Sequence, residues 1–162
     1  MNQQMMSMER FGNRDPQPVD PTTLELEAEN FVLRRHGQRP LAFQGSELAM
    51  ASSYVAGCAA WYELNIYKTV ENDFVVRVHM YSNAPQQPEQ TDAWRCAGLI
   101  EVFDTIEAWD ASRTVRIELL PEEASLSVGE LAASAVSIRS RIEEARHQYR
   151  TIVGEMLMDL DG

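Results

Sequence analysis

The sequence predicts an α+β fold: a mainly antiparallel sheet of three to five strands, a short N-terminal helix and a long C-terminal helix. Two patterns carry that expectation. WYELNIYKTVENDFVVRVHMY alternates apolar and polar residues on both sides of Glu71-Asn72-Asp73, which is the pattern of a β-hairpin. Near the C-terminus, ELAASAVSIRSRIEEARHQYRTIVGEMLMDL places its apolar residues four and three apart, which is the pattern of one helix face. A chain of 162 residues with 44% hydrophobic content suits one domain with a core of its own.

The elements follow in order. Residues 1–21 are polar and carry Pro16, Pro18 and Pro21 without any period, so they read as a flexible lead to a single domain over 22–162. Thr22 with Glu25 makes a capping box, Leu24, Ala28 and Phe31 share a helical face, and Gly37 suits a helix end. These predict the short helix. In RPLAFQGSELAMASS, Leu41 and Phe43 alternate on one parity, and Leu48 and Met50 on the other. A strand with a β-bulge at Gly45 would bring all four to one face, the alternative being a turn into helix after Ser46.

In the hairpin, a three-residue loop Glu71-Asn72-Asp73 pairs Ile66 with Val78 and Leu64 with Met80, giving one wholly apolar face. The opposite face then sets Glu63 against Tyr81, Asn65 against His79 and Tyr67 against Arg77. DAWRCAGLIEVF predicts a further strand with Trp94, Cys96, Ile100 and Val102 on one parity. Asp104 with Glu107 predicts a helix start over TIEAWDAS, and Val115, Ile117 and Leu119 an edge strand. Ser127 with Glu130 is a third capping box and opens a helix over about 128–160. Its stripe is Leu131, Ala135, Ile138, Ile142, Ala145, Tyr149, Ile152 and Met156. Such a helix spans about 50 Å, whereas a compact domain of this size is about 30–35 Å across. One end therefore overhangs or meets a second chain, and Gly154 offers a place to bend. Ile138, Ile142, Ala145, Tyr149 and Ile152 are the expected homodimer interface.

Charge and composition narrow the function. The net charge is -11, which repels phosphates and anionic lipid and excludes non-specific binding to either. Between Asn83 and Glu130 ten acidic residues stand against three arginines. Two cysteines, Cys58 and Cys96, are too few for a disulfide framework or a zinc site, and both lie in apolar contexts that suit buried thiols. The N-terminus lacks a signal-peptide pattern and no run is apolar enough to span a bilayer, so a cytoplasmic protein is expected. His36, His79 and His147 fall on separate elements, so neither a metal nor another cofactor is expected.

The candidate site is the polar hairpin face: Trp61, Glu63, Tyr67, Arg77, His79 and Tyr81. Aromatic and Arg side chains on a rigid sheet are typical interface anchors. An acidic segment, Glu101, Asp104, Glu107 and Asp110, would steer a basic partner. The expected function is a non-enzymatic, protein-binding module of a bacterium or phage: an adaptor, inhibitor or chaperone-like protein. Secretion chaperones are similar in composition, being short, acidic, α/β and dimeric, and the likeness is one of composition alone. Two other readings stand beside it. One is a small enzyme using His79 with Glu63 across the hairpin. The other is a structural subunit of a larger assembly.

Overall fold

The computed structural model describes residues 27–85, 87–117 and 126–161. The elements run β1 (Glu29–Arg35), β2 (Gln38–Ser52), β3 (Ala60–Thr69), β4 (Phe74–Ser82), β5 (Gln90–Cys96), α1 (Leu99–Ala108), a 3-10 turn (Ala111–Thr114) and α2 (Val128–Asp161). The five strands form one antiparallel meander in the order β1-β2-β3-β4-β5. The fold is α+β as expected, and the lead over 1–21 lies outside the described residues.

The expected short helix is corrected. Residues 29–35 form β1, and residues 22–26 lie outside the described residues. A period of two wins because Phe31 and Leu33 pair with Phe43 and Leu41 and pack beside Tyr67. The Phe31 and Phe43 rings stack at 5.1 Å. Gly37 serves a turn instead of a helix end: with φ 67 it takes the left-handed conformation in the His36-Gly37 link to β2.

β2 carries two bulges, neither at Gly45. One sets Arg39 and Pro40 opposite Arg34, where Pro costs no ladder bond, and the other inserts Leu48. The second moves Ala49 and Ala51 onto the helix-covered face, opposite Ile66 and Leu64, while Met50 stays on the face of Phe43. Gly45 is needed for another reason: a Cβ there would strike the backbone carbonyl of Lys68. Bulges bend and twist a strand. Here the sheet curls until the end of β1 meets the start of β5, with the His36 amide donating to the Thr91 carbonyl at 2.8 Å.

The β3–β4 hairpin keeps the expected faces but not the expected register. Ile66 pairs with Val76, Leu64 with Val78 and Tyr62 with Met80. The three-residue loop is Val70-Glu71-Asn72, one position earlier than expected; Asn72 takes the left-handed conformation at φ 71 and the Thr69 amide bonds the Asp73 carbonyl. Sliding a loop by one residue shifts pairing by two, so every side chain stays on its face.

The other strand expectation also needs correction. β5 stops at Cys96, and Leu99–Ala108 is helix, starting well before Asp104. Val102 and Ile106, four apart, are buried on one helical face while Ile100 is 79% exposed. The Glu101 carboxylate accepts from the Ala97 amide at 2.6 Å, an acid where the helix start favours one. Val115–Ile117 form no strand, and residues 118–125 lie outside the described residues.

The Ser127–Glu130 capping box is present: Glu130 accepts from the Ser127 amide at 2.7 Å, and Ser127 Oγ from the Glu130 amide at 3.3 Å. α2 runs 34 residues and continues through Gly154. Ala145, Tyr149, Ile152 and Met156 enter one core with Leu64, Ile66, Val76, Val78, Val102 and Ile106. The Tyr149 hydroxyl donates to the Ile106 carbonyl at 2.6 Å, satisfying one of the carbonyls that the end of α1 leaves open. Tyr62 bonds Thr114 Oγ1 at 2.6 Å, and Thr114 in turn donates to the Ala111 carbonyl.

Candidate binding face

The face of β3–β4 away from α2 holds all six expected site residues. Their cross-strand pairs are Trp61 with Tyr81, Glu63 with His79, Asn65 with Arg77, and Tyr67 with Val75. The curl of β1 and β2 covers the far end, so Tyr67 is buried beside Phe31 and Phe43 and belongs to a second small core. It is a packing residue, and burial pushes its phenol pKa up.

Arg77 occupies the middle. It donates from Nη1 to Glu63 and to Asn65, each at 3.3 Å, and from Nη2 to the Tyr81 hydroxyl at 3.4 Å. Asn65 donates to the Glu47 carboxylate at 3.0 Å. Burial opposes the Arg77 charge, but the Tyr81 and Tyr67 hydroxyls outweigh it and its pKa is raised. Among the described residues no buried side-chain polar atom lacks a partner. A network satisfied in this way rigidifies its surroundings.

His79 lies between β5 and its approach loop. Nε2 is 3.0 Å from Glu89 and Nδ1 is 2.5 Å from Thr91 Oγ1. Burial lowers its pKa against the pull of Glu89, so the imidazole is neutral near pH 7. A carboxylate only accepts, so Nε2 carries the proton and Nδ1 accepts from Thr91. Glu63 bonds Arg77 instead of His79, so the expected His79–Glu63 contact is not formed.

The reachable part is the mouth of the curl. Tyr54 and Trp61 meet edge to face at 5.0 Å, Trp61 and Tyr81 stack at 5.3 Å, and Tyr81 leans on His79 at 4.0 Å. Tyr54 is 56% exposed, and Met50 is exposed on the same face opposite Asn65. Tyr54, Met50, Glu89 and Thr91 were not among the expected site residues. Tyr54 follows the end of β2 with no periodic signal, and Glu89 and Thr91 join His79 only because β5 pairs with β4.

The other expected surfaces are placed apart. On α1, Glu101, Asp104 and Glu107 are exposed, whereas Asp110 receives two bonds from Arg146 at 2.9 and 2.8 Å. Arg146 holds the Asp110 carboxyl well below the usual range. Of the expected dimer stripe, Ala145, Tyr149 and Ile152 are buried in the chain's own core, and only Ile138 and Ile142 stay half-exposed. Cys96 is buried, but Cys58 is half-exposed, contrary to expectation.

Among the described residues no cluster of three metal-ligating side chains occurs, and no helix is long and apolar enough to cross a membrane. A scan against protein-family models finds no match, and searches of the curated proteins and of the solved structures find none either.

Proposed function

We propose that this is a non-enzymatic protein-binding module, an adaptor, inhibitor or chaperone-like protein, that docks its partner on the aromatic row Tyr54–Trp61–Tyr81. The observation that carries this reading is the row itself: Trp61 packs against Tyr54 on one side and Tyr81 on the other, and the Tyr81 hydroxyl accepts from Arg77. Rigid aromatic anchors lose little entropy on binding and dominate interface energetics. The exposed acids of α1 favour a basic partner. The net charge of -11 argues against direct nucleic acid binding. Two free thiols support a reducing, cytoplasmic setting.

The reading includes a homodimer through the N-terminal half of α2. Val128 is 85% exposed there, Val136 68% and Leu131 45%, an apolar surface that a second chain would cover.

The test is site-specific photo-crosslinking in the cells of origin. A crosslinking residue at Tyr54 is expected to capture one discrete protein, and the same residue at exposed Val32 is not. Trp61→Ala with Tyr81→Ala is expected to abolish the capture while circular dichroism stays unchanged. Equal capture from both positions, or capture unaffected by the double variant, would overturn the reading.

A further inference from the structure

A separate cavity of about 420 Å³ lies where the end of α1 meets α2, away from the aromatic row. That volume is within the usual range for small-molecule sites, roughly 300–1,000 Å³. Its floor is apolar: Ile106, Trp109, Tyr149 and Val153. The two rings sit 4.7 Å apart at 58°. Both are fixed by their polar ends, since Trp109 Nε1 donates to Asp92 at 3.0 Å and Tyr149 to the Ile106 carbonyl. The floor is therefore formed in advance of any ligand.

The rim is polarised. Asp110 and Arg146 neutralise each other through a two-bond pair. That leaves Glu107 on the α1 wall and Arg150 on the α2 wall. Both are exposed, and among the described residues neither side chain makes an ion pair or hydrogen bond, with the other or with any third group. The α1 wall is made more negative by the carbonyl end of its helix, whose last turn holds no basic residue. One wall thus favours a cation and the other an anion, above an aromatic floor.

We propose that this cavity binds a zwitterionic small molecule with an apolar body, of which an α-amino acid with an aromatic side chain is the simplest chemistry. The ammonium lies toward Glu107, the carboxylate toward Arg150, and the side chain on Trp109 and Tyr149. A neutral apolar molecule would use only the floor, and a singly charged one only half of the rim.

The test is an NMR titration of the full chain that follows the Trp109 indole N–H, assigned by Trp109→Phe. The probes share one ring: L-phenylalanine, 3-phenylpropanoate without the ammonium, and phenethylamine without the carboxylate. Phenylalanine is expected to bind tightest, by about fivefold to tenfold per charge. Glu107→Gln is expected to bring phenylalanine level with 3-phenylpropanoate. Arg150→Gln is expected to bring it level with phenethylamine. Both substitutions are at exposed positions and leave the fold intact. Val153→Phe, which fills the cavity, is expected to remove binding of all three. Equal affinity for the three probes would overturn the proposal, as would no movement of Trp109 at the solubility limit of phenylalanine.

Discussion

The two halves of α2 carry the same apolar spacing and meet opposite fates. In the C-terminal half, Ala145, Tyr149, Ile152 and Met156 are all buried in the core. In the N-terminal half, Leu131 and Ala135 are exposed and Ile138 and Ile142 only half-covered. A stripe at four-three spacing states that a helix has a face to bury. It does not state what lies beneath. The sheet, α1 and the 3-10 turn reach under residues 145–156, and the helix then runs past them for the length that a domain of this size does not supply.

The largest effect should come from truncating the buried half. Ile152→Ala is expected to destabilise the protein by about 2–5 kcal/mol, because it removes a buried branched side chain and leaves a cavity. Leu131→Ala, at the matching position of the other half, should change stability by no more than about 0.5 kcal/mol when measured at a dilution where the chain is monomeric. Urea unfolding of both variants measures the contrast, and equal losses would show that the halves do not differ in this way.

A smaller effect concerns pH and the sheet. His79 has a lowered folded pKa, so below its unfolded value of about 6.5 the unfolded chain binds the extra proton. Its contribution is complete above pH 6.5 and is lost as pH falls, at up to about 1.4 kcal/mol per pH unit. The carboxylates with lowered values, Asp73, Asp110 and Glu130, contribute their losses only at more acid pH. Unfolding curves between pH 7 and 5 should therefore slope in the native chain and flatten in His79→Gln. An unchanged slope in that variant would remove His79 as the source.

The smallest change in stability is expected from Leu131→Asp with Val136→Asp, yet it sharpens the contrast most directly. Light scattering should show a dimer in the native chain and a monomer in the variant, and the two melting temperatures should converge as the native chain is diluted to monomer. A native monomer would refute the dimer and leave the overhang for another partner.

The sequence by itself determined what depends on neighbours along the chain. Alternation in 61–81 settled which side chains of β3 and β4 share a face, and Ser127 with Glu130 settled where α2 starts. Both are properties of a few adjacent residues and a fixed period. The gathering of Trp61, Glu63, Arg77, His79 and Tyr81 on one face was legible for the same reason. Only the tertiary structure decided the rest. Residues 29–35 became a strand because Phe43 and Tyr67 wait for Phe31. Residues 99–103 turned from strand to helix because the core takes Val102 and Ile106 from one helical face. His79 lost its expected partner Glu63 to Arg77 and gained Glu89 and Thr91 from a neighbouring strand. In each case the deciding energy is burial or a hydrogen bond across a long stretch of chain, which a local pattern does not encode. The same holds for α2: its period marks a buried face, and only packing selects the half that is buried.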